Sequence, residues 1–209
     1  MFWLLFWLVP LYLLTLDKKL WQLLQQQQIM RLFGAAGICL LLLWQVKAQL
    51  PGGPALHFIG VTAATLVLGL RLSLWLIPAI LITTAMATAL VAPAQQLTIQ
   101  QLLLDWSVFT VLALQSYLQL YWVNRQFGQH LFVYIFVAAF VGSACCAFSF
   151  VLLQSFAVTI SAPSEASELS DYLALAPLLA LPEAILNGMA MTLLLVYRPE
   201  WVATYRSDL

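Results

Sequence analysis

Seven apolar stretches, separated by short polar gaps, take up most of this 209-residue chain. They cover residues 2–16, 32–46, 54–70, 72–92, 102–123, 131–161 and 172–197. About 20 apolar residues in a helix cross the roughly 30 Å hydrocarbon layer of a bilayer. Only 8% of the residues are charged, against about 25% in soluble domains. The sequence therefore predicts an all-α, polytopic membrane bundle of about seven transmembrane helices (six to seven) in a single domain over residues 1–209.

The apolar stretches differ in length, and this predicts differences in how they cross the bilayer. Several fall short of the ~20 residues that a straight crossing needs, whereas the sixth, residues 131–161, exceeds that length. Short helices, tilted helices and a break near Ser155 are therefore expected.

The basic residues predict the orientation of the bundle. Seven of the eight Lys and Arg residues lie in every second gap, namely Lys18, Lys19, Arg31, Arg71, Arg125, Arg198 and Arg206. The other gaps carry only Lys47, an uncharged segment at 93–101, and the acidic residues Glu165, Glu168 and Asp171. Basic residues next to membrane helices stay in the cytoplasm. The amino terminus is therefore expected outside the cell, and the carboxyl terminus inside it.

The first stretch is interpreted as a membrane helix and not as a cleaved signal peptide. Lys18 and Lys19 follow the apolar run instead of preceding it, and no small-residue cleavage site appears. This order of charges predicts an outside-to-inside helix with Met1 at the outer face. The following gap, residues 17–31, is expected to form an amphipathic helix at the inner surface, with Leu20 and Trp21 on its apolar side.

Composition and motifs limit the possible partners and chemistry. Because 64% of the residues are hydrophobic, the lipid bilayer is an expected partner; no nucleic acid partner is expected. No phosphate-binding loop of the form GxxxxGK[ST] occurs, so any energy for transport must come from a partner or a gradient. Trp44 lies near a span end, where aromatic residues usually anchor a helix at the membrane surface.

Small residues predict close helix packing. Cys39, Cys145 and Cys146 lie inside apolar stretches and are not expected to form disulfides. Ala138, Gly142 and Cys146 recur at every fourth residue, the spacing that allows two membrane helices to approach closely. This stripe of small residues is a candidate docking face for a partner protein.

Glu183 and Asn187 are the polar intramembrane candidates for a function. They lie four residues apart on one face of the last apolar stretch, between Pro182 and Gly188. A charged group at this depth is costly unless it is paired or faces a wet cavity. One interpretation places Glu183 in a substrate or proton path. The other makes it a buried polar staple, with hydrogen bonds from hydroxyls, amides or backbone, that joins the last helix to its neighbours.

No set of residues predicts catalysis. Ser143 lacks the flanking glycine of a serine nucleophile motif, and Glu183 has no HExxH motif or second acidic residue beside it. The chain is therefore not expected to be an enzyme, and no catalytic residue is assigned. An intramembrane enzyme remains the least favoured alternative. The two histidines, His57 and His130, are predicted at the outer and inner faces, so they are not expected to share a metal ion.

Three stretches carry a resemblance to a known family. The first is Pro51 to Gly60, a glycine-rich turn followed by His57 and a helix start; the second is His130 to Val137; the third is Pro182 to Pro199, with its Pro-Glu-Ala and closing Arg-Pro. In this order and spacing they resemble the permease and substrate-capture family of energy-coupling-factor transporters for cobalt and nickel. The similarity is to the CbiM and NikM type, in a short bacterial branch.

The resemblance implies a site for Co²⁺ or Ni²⁺ as the transported substrate, with no resident cofactor. Family members that bind metal use the terminal amine, the backbone nitrogen and side chain of a second-position histidine, and a histidine at the third stretch. Met1 and His57 are therefore the candidate metal ligands, while Phe2 stands where the family has histidine. Nitrogen-rich planar ligation suits Ni(II), Cu(II) or low-spin Co(II).

The resemblance also implies partners and a location. These are a membrane coupling subunit and ATPase subunits of an energy-coupling-factor transporter, in the inner membrane of a bacterial cell. The predicted function is the substrate-capture subunit of this transporter for transition metal uptake. Because Phe2 removes one imidazole, a membrane scaffold or a permease of the same fold for another substrate remains the alternative.

Overall fold

The computed structural model describes residues 2–16, 18–48, 56–91, 98–161 and 173–205. Its elements are α1 (Phe2–Thr15), α2 (Lys18–Gln25), α3 (Gln27–Leu43), β1 (Lys47–Ala48), β2 (Leu56–His57), α4 (Val61–Leu68), α5 (Leu70–Val91), α6 (Ile99–Phe127), α7, α8 (Ala176–Tyr197) and a 3₁₀ turn (Pro199–Trp201). Helix α7 is continuous and consists of Leu131–Val133, the π-helical Tyr134–Val141 and Gly142–Ser161. Met1, the acidic cluster of Glu165, Glu168 and Asp171, and Arg206 lie outside the described residues.

The described part of the chain is helical apart from one short strand pair, so the predicted all-α class is confirmed there. Within the described residues, three helices are both long and apolar enough to cross a bilayer: Leu70–Val91, Leu131–Ala157 and Ala176–Tyr197. Helix α3 is apolar but shorter, with 17 residues. Large apolar side chains such as Leu90 and Phe132 point outward from the bundle. The chain is therefore a multi-pass membrane protein, because an outer surface of this kind requires lipid around it.

The third apolar stretch does not form the spanning helix that was predicted for residues 54–70. Its helix, α4, has only eight residues and is about 12 Å long. Leu56–His57 is extended instead and pairs in antiparallel fashion with Lys47–Ala48. Gly60 and Gly69 begin and end α4 with φ values of +63° and +78°, which only glycine adopts easily. Helix α4 is thus a short buried helix, packed against α3, α5, α6 and α8.

The sixth stretch also departs from its prediction. A break was expected near Ser155, but the α-helical part runs unbroken through Gly142–Ser161. The irregular part lies nearer the start, where Tyr134–Val141 is π-helical. A π-helix inserts extra backbone into the turn and shifts the side-chain register, so the irregular part of the long apolar run lies here and not at Ser155.

The stripe of small residues on α7 faces the interior, so its prediction as a docking face for a partner is wrong. A Cβ added at Gly142 would lie 3.2 Å from Gln119 Oε1 on α6. Cys146 is buried, and its Sγ lies 3.2 Å from Ser116 Oγ. Small residues here allow α6 and α7 to pack closely within one chain. All three cysteines of the chain are free.

The predicted amphipathic helix is present but short. Helix α2 ends at Gln25, and α3 starts at Gln27 after a bend. Leu20 is buried against the bundle, whereas Trp21 is 71% exposed. Helix α2 therefore covers the bundle with one face and leaves Trp21 available to the membrane surface.

Several of the gaps that carry basic residues meet at one end of the bundle. Leu23, Gly69, Asn124 and Thr204 line a common cavity of about 440 Å³, and Arg71 lies on the same wall. These residues come from α2, the α4–α5 junction, α6 and the segment after α8. The alternate-gap pattern in the sequence thus corresponds to a shared end in the structure, which is called the basic end below.

Candidate functional site

Glu183 lies in the centre of a hydrogen-bond network between α8 and the start of α4. The residue is 1% exposed. Oε2 accepts a hydrogen bond from the Ile59 backbone N–H at 3.0 Å, and Oε1 accepts one from the Gly60 N–H at 2.7 Å. Asn187 Nδ2 donates to Oε1 at 2.8 Å. All three partners are donors, which is the arrangement that a carboxylate accepts.

Asn187 extends this network to Ala63, in the first turn of α4. Its Oδ1 accepts the Ala63 N–H at 2.9 Å, while its Nδ2 also donates to the Glu183 carbonyl at 2.7 Å. The first N–H groups of a helix have no partner within the helix, and they carry partial positive charge. Glu183 and Asn187 therefore cap α4 from a neighbouring helix.

This capping explains how a non-helical segment can enter the bundle. Buried backbone in a membrane protein must be hydrogen-bonded internally, and Ile59 and Gly60 obtain their partners from Glu183. The predicted staple, with bonds from amide and backbone groups, matches this geometry. Gly188, one turn later, packs closely on α7, because a Cβ there would lie 3.1 Å from Phe140 Cδ2.

His57 lies at the end of β2, directly before the segment that Glu183 holds. The ring is half-buried, and its Nδ1 lies 2.9 Å from the Phe58 carbonyl oxygen. A carbonyl oxygen only accepts hydrogen bonds, so Nδ1 must carry the proton. In the neutral ring, Nε2 then holds the lone pair that could bind a metal ion.

Among the described side chains, three aromatic rings surround the imidazole. Ring centroids of Trp44, Phe109 and Phe150 lie 5.6, 6.0 and 5.5 Å from that of His57. Trp44 is buried, and its Nε1 donates to the Ile59 carbonyl at 3.1 Å; it is therefore not the interfacial anchor that was expected. Sequence analysis missed Phe109 and Phe150, because aromatic residues in apolar helices carry no signal that separates a site from ordinary packing.

His57 lies deeper than predicted. It contacts Phe109, ten residues or about 15 Å along α6 from Ile99, so it is inside the bundle and not at its outer face. His130 is exposed at the start of α7, twenty residues or about 30 Å along that helix from Phe150. The prediction that the two histidines do not share a site is confirmed.

Helix α1 is fixed to the bundle through Tyr12, close to the position of Phe109 on α6. Tyr12 Oη donates to the Leu74 carbonyl at 2.6 Å, accepts from Trp106 Nε1 at 2.8 Å, and lies 3.2 Å from Thr110 Oγ1. Tyr12 is buried, so these bonds form in a protected environment. Sequence analysis did not single out this tyrosine, although a polar group in an apolar helix is the signal that could have found it.

Among the described residues, no three His, Cys, Asp or Glu side chains come together as a metal site. The two candidate metal ligands differ in whether the structure describes them. His57 is described, whereas Met1 lies outside the described part of the chain, so its role as a ligand stays a prediction. Ser143, considered above as a nucleophile, donates to the Phe140 carbonyl at 2.9 Å and lies 3.5 Å from the Glu183 carbonyl.

Spanning helices around a short, buried, capped helix define a multi-pass membrane protein, with His57 half-buried inside the bundle. Residues 1–201 match the family described as the cobalt uptake substrate-specific transmembrane region, CbiM. The chain belongs to this family of transport proteins. No curated protein and no solved structure is significantly similar to it.

Proposed function

We propose that this chain is the substrate-capture subunit of an energy-coupling-factor transporter that takes up Co²⁺ or Ni²⁺. One observation carries the proposal beyond family membership. The hydrogen bond from His57 Nδ1 to the Phe58 carbonyl leaves Nε2 as the lone-pair nitrogen, the form in which an imidazole binds a metal ion. The metal ion is cargo here, so it must bind reversibly.

The proposed ligands are His57 and the terminal amine of Met1. Both are nitrogen donors, and nitrogen-rich planar sites favour Ni(II), Cu(II) and low-spin Co(II). Phe2 supplies no imidazole, so the affinity is expected to be lower than that of a site with two histidines. The aromatic rings of Trp44, Phe109 and Phe150 supply apolar walls, and exclusion of water strengthens each remaining electrostatic contact.

The proposed partners are a membrane coupling subunit and ATPase subunits. The chain has no phosphate-binding loop of its own, so ATP hydrolysis must occur on another subunit. The basic end of the bundle is proposed to face the cytoplasm, since basic residues near membrane helices are retained there. In this orientation the amino terminus lies on the outer side of the membrane. The proposed location is the inner membrane of a bacterial cell.

Metal binding at equilibrium tests the proposal. Purified protein in detergent is equilibrated with nickel or cobalt, desalted, and analysed for bound metal by mass spectrometry. The native chain is expected to bind one metal ion, His57→Ala to lose it, and His130→Ala to keep it. His130→Ala is a matched control because the chain has two histidines, and the exposed His130 lies at the start of α7, twenty residues before the Phe150 that packs on His57.

Metal that is equally bound by native chain and His57→Ala would contradict the proposed site. No bound metal in either protein would favour the second candidate, a permease of this fold for another substrate. Phe2 is the observation that favours a permease for another substrate, because the family that the sequence resembles has a metal-binding histidine at this position.

A further inference from the structure

Two successive peptide groups lie between the Glu183 carboxylate and two aromatic side chains. The first group joins Phe58 to Ile59. Its N–H donates to Glu183 Oε2 at 3.0 Å, and its carbonyl accepts the His57 Nδ1–H at 2.9 Å. A single rigid peptide plane therefore connects the carboxylate with the imidazole.

The second group repeats this arrangement one residue later. The peptide between Ile59 and Gly60 donates through the Gly60 N–H to Glu183 Oε1 at 2.7 Å, and its carbonyl accepts Trp44 Nε1–H at 3.1 Å. The Trp44 ring is one of the three rings around His57. One carboxylate thus holds, through two peptide planes, both the imidazole and an aromatic wall beside it.

Hydrogen bonds in series polarise each other. A carboxylate at the N–H side of a peptide increases the negative charge on its carbonyl oxygen, which becomes a better acceptor. In metal proteins, a carboxylate or carbonyl that accepts a ligand histidine's N–H fixes the tautomer and raises the basicity of the other nitrogen. The relay from Glu183 through one peptide combines both effects at His57.

We propose that Glu183 is a positioning residue for His57, acting through the Phe58–Ile59 peptide to hold the proton on Nδ1 and present Nε2 to a metal ion. The metal part of this inference rests on the proposed function above. The relay itself is a property of the metal-free protein, so it can be tested without any metal.

The first test is nuclear magnetic resonance of the histidine rings in metal-free protein in detergent. The chain has two histidines, so ¹⁵N-labelled histidine gives two sets of ring signals, and His130→Ala assigns them. At about pH 8, where a histidine ring is neutral, His57 is expected to show the single tautomer with the proton on Nδ1. Glu183→Ala is expected to give a mixture of both tautomers.

Glu183→Gln provides a milder variant if Glu183→Ala does not fold. A glutamine keeps one acceptor oxygen but replaces the other with an NH₂ group, so it cannot accept both N–H groups through its two terminal atoms. Glu183→Gln is expected to weaken the preference for Nδ1–H, with Thr84→Val as a matched control. Thr84 is also a buried polar residue, but its hydroxyl bonds the Ile80 and Leu81 carbonyls within α5.

Nickel binding forms the second arm. Removal of a partner of this kind typically lowers metal affinity about 10- to 100-fold, so Glu183→Ala is expected to fall in this range, and Thr84→Val to match the native chain. An unchanged His57 tautomer in Glu183→Gln, or in a folded Glu183→Ala, would overturn the relay. If the tautomer responds but the native chain binds no metal, the relay stands and the proposed function fails.

Discussion

Gly60→Ala is expected to destabilise the protein through two separate effects. Residue 60 has a φ of +63°, and an L-residue in that left-handed region costs about 1–2 kcal/mol. The new Cβ would also lie 2.6 Å from Leu40 Cδ2, about 1 Å inside the normal carbon–carbon contact distance. Overpacking of this kind costs about 1–3 kcal/mol, so the expected total is about 2–5 kcal/mol.

A double-mutant cycle with Leu40→Ala separates the two effects. Leu40 lines an apolar groove of about 500 Å³ between α3 and α8, so its side chain has some space into which it can rotate. In the Leu40→Ala background, the overlap with Leu40 disappears. Gly60→Ala should then cost the backbone term of about 1–2 kcal/mol and a small adjustment of Leu43, whose Cδ2 would lie 3.2 Å from the new Cβ. The coupling free energy between the two sites is therefore expected to be about 1–3 kcal/mol.

Reversible unfolding in mixed detergent micelles measures these free energies. Gly34→Ala serves as the control, because a Cβ at this position on α3 meets no atom within 4 Å; it is expected to stabilise the protein by up to about 1 kcal/mol. A Gly60→Ala cost below about 0.5 kcal/mol, the lower limit of significant coupling, would refute the left-handed start of α4. Equal costs in both backgrounds would refute the close contact with Leu40.

Three further substitutions test other parts of the account. Glu183→Ala leaves two buried N–H groups without a partner, at a cost of about 1–3 kcal/mol each. The unfolding free energy should therefore fall by about 2–6 kcal/mol, and almost no change would indicate that the start of α4 is exposed. Gly188→Ala brings a Cβ to 3.1 Å from Phe140 and should cost about 1–3 kcal/mol by the same unfolding assay; a stabilising effect would contradict this packing. Phe2→His restores the imidazole of the resembling family, so titration calorimetry should show nickel affinity higher by on the order of tenfold or more, and unchanged affinity would argue against a site at the amino terminus.

Sequence analysis predicted correctly those features whose energetic cost depends on one segment of the chain alone. A carboxyl group within an apolar stretch needs a partner wherever the stretch packs, and Glu183 was accordingly expected to accept bonds from amide or backbone groups, as it does. Segments next to the basic gaps also meet at one end of the bundle, whereas the side of the membrane that this end faces stays a prediction.

The features that it missed depend on which segments meet. The apolar composition of residues 54–70 suits a membrane helix and a buried extended chain equally well. Composition therefore could not show that the helix begins only at Val61. The spacing of Ala138, Gly142 and Cys146 identified a close-packing face but not the neighbour, which is α6 of the same chain. Nothing in the local sequence connects Glu183 with a peptide group 124 residues away.

Pulsed electron paramagnetic resonance with Cu(II) tests the central claim, that Nε2 of His57 binds a transition metal ion. Cu(II) is a suitable probe because planar nitrogen sites accept it. The native chain with ¹⁵N-labelled histidine is expected to show coupling to the remote nitrogen of one imidazole, and His130→Ala should give the same signal. Loss of that coupling in His57→Ala is the predicted result; an imidazole signal that persists in His57→Ala, or none in the native chain, would contradict the account.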